Sequence, residues 1–147
     1  MKINKKQKNE FDSIGIIIFR NFFKNKIIET VSSWISDLEL RDPKDGEESK
    51  YYEISPHTEG KMLVRIENIF HERNSEIERM LITKKVHEIL NALFDEPPVL
   101  FKDKINFKLP GSRPDCLHQD HAAGWSKYST NPFISMLIII DQNTKEN

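Results

Sequence analysis

From Val99 onward the apolar period of this 147-residue chain changes, and that change limits what the chain can fold into. Before it, apolar residues recur every three or four positions. Ile27, Ile28, Val31, Trp34, Ile35 and Leu38 share one face of a predicted helix from about Asn25 to Leu40. Ile77, Met80, Leu81, Ile89, Leu90 and Leu93 define a second, opened by the capping-box spacing of Ser75 and Glu78 and stopped by Pro97-Pro98. After Val99 the period is two. Val99, Phe101, Ile105, Phe107 and Leu109 point one way and Lys102, Lys104, Asn106 and Lys108 the other, until Pro110-Gly111 ends the strand. Phe133 to Ile140 is apolar except for Ser135, the pattern of a strand buried on both faces. Short strands are predicted at Ile14–Phe19 and Met62–Ile66. Residues 1–10 read as frayed, and Arg41 to Glu59 as a long polar loop. The order predicts an α+β fold, with helices packed on a largely antiparallel sheet.

Composition narrows the class. With 37% hydrophobic and 31% charged residues and a net charge of −1, the chain reads as one soluble domain or part of one. No apolar run reaches the roughly 18 residues of a membrane span. Ile14–Phe19 is too short for the core of a signal peptide, so a cytoplasmic setting is expected. The near-neutral charge argues against a nucleic-acid partner. The single cysteine, Cys116, excludes a disulfide framework and is expected to be a small buried residue. There is no phosphate-cradling glycine loop, serine elbow or zinc CxxC pair.

One stretch carries recognisable chemistry: Leu117-His118-Gln119-Asp120-His121-Ala122-Ala123-Gly124-Trp125. In an extended strand, residues i and i+2 point to the same face, so His118 and Asp120 can converge on one point. An imidazole and a carboxylate so placed suit two of the three protein ligands of a non-heme Fe(II) site. The bland alternative is a surface loop with a hydrogen-bonded histidine. Gln119 and His121 fall on the opposite face, and His57, His71 and His87 are isolated. The lysine-rich face from Lys102 to Lys108 is either a solvated strand face or a cationic wall that draws in an anionic co-substrate such as a dicarboxylate. On the second reading the Asn106 amide can donate to a bound carboxylate. Trp125 either packs in the core or walls a substrate pocket.

The run Leu100 to Gly111, the triplet His118-Gln119-Asp120, Ala123-Gly124-Trp125 and the apolar strand leading to Asp141 and Thr144 to Asn147 together resemble the phytanoyl-CoA dioxygenase family. Phe11 to Phe22 and Arg65-Ile66-Glu67-Asn68 resemble its N-terminal part. The resemblance implies a double-stranded β-helix, or jelly roll, carrying Fe(II) and using 2-oxoglutarate as co-substrate. The implied reaction couples decarboxylation of the keto acid to hydroxylation of a small-molecule C–H bond by O2. It implies His118 and Asp120 as iron ligands, Asn106, Met136 and Lys108 at the 2-oxoglutarate site, and Lys102 and Trp125 near the substrate. Gln119 would support the site. An aspartate at the carboxylate position argues against the halogenating members, which keep a small residue there. Family members also supply a distal histidine ligand and an arginine for the far carboxylate of 2-oxoglutarate, beyond a Glu-Asn-Gly segment within which this sequence stops. The expectation is therefore a fold incomplete at its C-terminus, with little activity by itself unless a partner chain supplies both residues. The rival expectations are a non-catalytic binding module and one half of a split enzyme.

Overall fold

A computed structural model describes residues 2–43, 48–71, 75–94, 97–114, 116–119, 124–128 and 133–144. Four helices and one small antiparallel sheet make the described part α+β: α1 Lys5–Ile14, α2 Asn25–Leu40, β1 Ser49–Ile54, β2 Lys61–Glu67, α3 Glu76–Leu81, α4 Lys84–Phe94 and β3 Lys104–Asn106. The sheet order is β1-β2-β3, antiparallel throughout. These three strands do not by themselves make a double-stranded β-helix.

The helical spacing of the sequence is realised in α2, whose bounds match the prediction. Val31 and Leu38 are buried, and Ile28, Trp34 and Ile35 pack beside them. Against this face lie Leu63 and Ile66 of β2, Ile69 of a short 3-10 turn, and Ile77 and Met80 of α3. This is the core that the rest of the chain is hung on, because burying these side chains is the main favourable term available to it.

Elsewhere local signals redirect the fold. Residues 5–10, expected to be frayed, are helical. Asn4 and Gln7 form a reciprocal capping box that starts α1, and Gly15, at φ 77°, closes it in the left-handed region with its N–H on the Phe11 carbonyl. Helix therefore ends at Ile14, and residues 16–19, expected as a strand, pair with no strand among the described residues. The single helix expected from Ser75 to Leu93 is two. The Ser75 hydroxyl accepts from the Glu78 N–H as expected. At Thr83 a second cap intervenes, its hydroxyl accepting from Val86 N and its carbonyl from His87 N. Such a side chain offers the backbone an alternative partner and restarts the helix.

The expected loop from Arg41 to Glu59 contains β1. It is anchored to the end of α2 by the Arg41 guanidinium on the buried Glu48 carboxylate, and by Lys50, whose ammonium donates to the Glu39 and Arg41 carbonyls. The expected strand Val99–Leu109 is paired only over Lys104–Asn106, opposite Arg65, Ile66 and Glu67. Pairing stops there because Asn68, at φ 60°, turns β2 away and the Asp103 carboxylate takes the Ile69 N–H at 2.6 Å. The alternation survives as exposure only in the middle of the run: Lys102, Lys104, Asn106 and Lys108 face out and Ile105 and Phe107 pack on the core, whereas Val99, Phe101 and Leu109, expected on the same face as those two, are exposed. Phe133–Ile140, expected as a strand buried on both faces, makes no strand pairing among the described residues. Ile138 and Ile140 lean on the core, whereas Met136, Leu137 and Ile139 are exposed.

Register in the sheet is decided by a bulge. Tyr51 pairs with Arg65 but Tyr52 pairs with Leu63, leaving Val64 as the extra residue. Its carbonyl accepts from Phe107 N at 2.9 Å. The bulge lets Leu63 and Ile66, three positions apart, both enter the core, which strict two-residue alternation forbids.

Candidate metal and anion site

His118 lies in an exposed, non-helical stretch at residues 116–119, just after the turn made by Pro110 and Gly111. Gly111 sits at φ 81°, and the Ser112 N–H donates to the Leu109 carbonyl, the arrangement of a turn with proline then glycine at its centre. Two staples hold this approach to β1. The Ser55 hydroxyl, buried at 2% exposure, donates to the Gly111 carbonyl at 2.7 Å and accepts from His57 N and Thr58 N. The Arg113 guanidinium forks onto Glu53, at 2.7 and 2.9 Å.

The imidazole of His118 is oriented by its neighbour. Its Nδ1 stands 2.8 Å from the Cys116 carbonyl. A carbonyl only accepts, so this contact is made by an Nδ1–H, the kind of backbone hydrogen bond that orients the ring of a metal-ligating histidine. In its donor chemistry His118 therefore fits a metal. Asp120 and His121 lie outside the described residues. Among the described residues no cluster of three histidine, cysteine or acidic side chains could hold an ion. The stretch 116–119 is not strand-paired, so the shared-face argument for His118 and Asp120 has no sheet behind it there. Cys116, expected to be buried, is exposed. Its neighbours Leu117, His118 and Gln119 are exposed too.

Asn106 and Lys108 are brought together. With Tyr51, Tyr52, Glu53, Val64, Arg65 and Arg113 they line a cleft of about 190 Å³ beside the bulge. That is smaller than the roughly 300–1,000 Å³ of drug-sized sites and suits a ligand of few heavy atoms. Tyr51, Arg65 and Asn106 form one row across the three strands. The Arg65 guanidinium lies 4.6 Å from the centre of the Tyr51 ring, a cation–π contact.

Lys102 does not join that lining. Its ammonium is 2.9 Å from the carboxylate oxygen Oε1 of Glu67, which Arg65 Nε also approaches at 3.0 Å, although the Arg65 N–H is not aimed along that line. Burial pushes the Glu67 carboxyl up. The Lys102 hydrogen bond and charge, the Arg65 charge and a hydrogen bond from the Tyr51 hydroxyl together outweigh it and leave the group below its ordinary value. Trp125 belongs to an aromatic cluster in which its ring and that of Phe133 are 5.5 Å apart and Phe101 touches Trp125, Tyr128 and Phe133. Met136 is exposed and is not among the residues that line the cleft.

Sequence reasoning missed Arg65, Tyr51 and Arg113 as cleft residues, and Ser55 and Glu67 as supports. Arg65 was visible only as part of the Arg65-Ile66-Glu67-Asn68 piece. Its gathering with residues about 40 positions later depends on strand register, which no local pattern reports.

The comparisons with known proteins point to oxygen chemistry. The chain is 29% identical over 141 residues to a 2-aminoethylphosphonate dioxygenase from an uncultured bacterium, covering 96% of this chain and 53% of that protein. It is 28% identical over 143 residues to a methylphosphonate hydroxylase from Gimesia maris, covering 96% of this chain and 52% of the relative. It is 24% identical, again over 143 residues, to a probable alpha-ketoglutarate-dependent hypophosphite dioxygenase from Stutzerimonas stutzeri, covering 96% and 49%. The chain spans about half the length of the curated relatives it matches. No protein-family model and no solved structure matches it. The relatives' names support an oxidoreductase family of dioxygenases, and one of them names alpha-ketoglutarate as co-substrate. Among the described residues no helix is long and apolar enough to cross a membrane.

Proposed function

We propose that this chain carries part of an Fe(II)- and 2-oxoglutarate-dependent dioxygenase that hydroxylates a small phosphorus-containing oxyacid. The observation that carries the reading is the match over nearly the whole chain to relatives named for oxidising such compounds. It is supported by the contact of His118 Nδ1 with the Cys116 carbonyl, which orients the ring as in metal-ligating histidines. In this reading His118 and Asp120 are two protein ligands of the iron. Asn106 and Lys108 meet the anionic co-substrate, with Met136 lining its pocket. Lys102 and Trp125 stand near the substrate. When bound, iron would supply the activation of O2. The chain's own part is to orient His118 through the Cys116 carbonyl, and to anchor the approach to it through Ser55 and Arg113.

A third protein ligand and the arginine for the far carboxylate have no assigned residue in this sequence. The proposal therefore includes a further polypeptide segment, in the same chain or a partner, that provides them. The test is succinate formation from 2-oxoglutarate with Fe(II), O2 and methylphosphonate. It is run on this chain alone and on this chain joined to, or mixed with, the remaining length of a relative. Succinate is expected only in the second case and not with His118→Ala. Unchanged succinate formation by His118→Ala would sink the ligand assignment. No succinate in either case would favour a non-catalytic binding module.

A further inference from the structure

We propose that the segments at residues 16–19 and 137–140 are docking segments for β-strands of a further polypeptide, the one corresponding to the length of the relatives that lies outside the match. Each segment has one finished side and one unfinished side. Ile138 and Ile140 pack on the core, and Ile17 and Phe19 are half-buried. Alternating with them stand Leu137 and Ile139, and Ile16 and Ile18, each more than half exposed. In–out alternation with period two is that of a strand. Yet neither segment pairs with a strand among the described residues.

The occupant of such a segment has two tasks. It must cover leucine and isoleucine side chains, and it must pair the N–H and C=O groups along the backbone. A lipid surface does the first and leaves the second undone. A helix has its backbone groups bonded internally. An added strand does both. The composition offers no defence against such an addition. Residues 14–19 and 133–140 hold no charge and no proline, whereas strand edges that stay free carry lysine, proline or other charges. The edges of the sheet that is present follow that rule: β1 carries Lys50 and Glu53, and the run through β3 carries Lys102, Lys104 and Lys108. A source for the occupant is in the comparisons. The match covers 53% and 52% of the first two relatives, so each has roughly as much chain again outside it.

The proposal rests on the functional reading above for the choice of relatives. Its test needs neither iron nor turnover, so the two fail separately. Backbone amide exchange is compared between this chain alone and the chain joined, in the relative's own order, to the remaining length of the Gimesia maris or the uncultured-bacterium relative. Alone, fast exchange is expected at residues 16–19 and 137–140, with the α2 core protected. Joined, exchange at both segments is expected to slow at least about a hundredfold. Leu137→Asp with Ile139→Asp, and separately Ile16→Asp with Ile18→Asp, are expected to remove that added protection at the altered segment and to leave α2 protection in the chain alone unchanged. Leu40→Asp, at an exposed leucine ending α2, is expected to leave the added protection in place.

Equal exchange in the two forms, protection indifferent to both aspartate pairs or equally lost with Leu40→Asp, or failure of both joined proteins to fold would overturn the proposal. So would concentration-dependent protection of the same residues in the chain alone, which would assign the rows to a second copy. An aspartate pair that unfolds the chain alone would show that its row is already covered, and would count against the proposal in the same way.

Discussion

Leu38 and Leu137 are the same side chain in two different regions. Leu38, on α2, is 2% exposed in the core with Ile66, Ile77 and Met80, whereas Leu137, in the segment that ends the described chain, is 79% exposed. The body formed by α2, β2 and α3 buries most of its apolar face within itself, and Ile105, Phe107, Ile138 and Ile140 of the arm pack against that core. The arm from Val99 to Thr144 carries nearly all the residues with candidate chemistry, yet leaves Val99, Leu100, Leu117, Leu137 and Ile139 on its surface. The difference teaches that stability and chemistry are housed separately here. The body is the scaffold, and the arm is held against it by the packing of Ile105, Phe107, Ile138 and Ile140 and by polar links: β3 on β2, Ser55 on Gly111, Arg113 on Glu53, and Lys102 on Glu67.

The comparison breaks most readily at the two leucines. Leu38→Ala is expected to cost about 2–5 kcal/mol in urea unfolding, through lost burial and a residual cavity, while Leu137→Ala stays within about 0.5 kcal/mol. Equal losses would mean that the arm has a core of its own.

The next largest effect probes the Lys102–Glu67 link between the regions. Glu67→Gln is expected to lower stability near neutral pH, because Lys102 and Arg65 stand on its carboxylate as ion-pair partners. Its pH dependence has a definite sign. The folded-state carboxyl lies below its ordinary value, so the ionised form is favoured by folding. That stabilisation is present above the ordinary glutamate range and is lost as pH falls through the lowered value. The gap between wild type and Glu67→Gln should therefore close on acidification below about pH 4. A gap that widens there would refute the role given to Lys102 and Arg65.

Ser55→Ala tests the staple under the approach to His118. Removing the hydroxyl strips the Gly111 carbonyl and two backbone N–H groups of their partner, for an expected loss of about 1–3 kcal/mol. Amide exchange should rise first at residues 57, 58 and 111–113, with the α2 core still protected. Simultaneous exchange in both regions would show that they unfold as one unit. The smallest effect belongs to α1, which buries no side chain and is joined to α4 by Lys8 donating to the Leu93 carbonyl. Asn4→Ala should cost about 1 kcal/mol, read as lost helix signal at residues 5–8, with no change in the core or the cleft.

Legibility in the sequence followed the range of the interactions. Helix α2 was readable to its bounds, because six apolar residues at helical spacing have one way to be buried together. The start of α3 was readable from Ser75. The in–out order from Lys102 to Lys108 was readable even though only three of those residues are strand-paired. The Asn4–Gln7 spacing and Gly15 offered the same kind of local signal for α1, but the lysine-rich composition around them suggested fraying. Thr83 escaped because a capping hydroxyl inside an apolar helical pattern looks like one more surface residue.

What the sequence by itself determined is therefore local: where helices start, which faces are apolar, and a His118-x-Asp120 stretch whose chemistry suits a metal. Tertiary structure decided which distant groups meet. Ser55 and Gly111 are 56 positions apart, and Glu53 and Arg113 are 60. The Tyr51–Arg65–Asn106 row exists only because a bulge at Val64 shifts the register. A pattern of period two is unchanged by such a shift until a partner strand is in place, so the cleft could not be read before the sheet was.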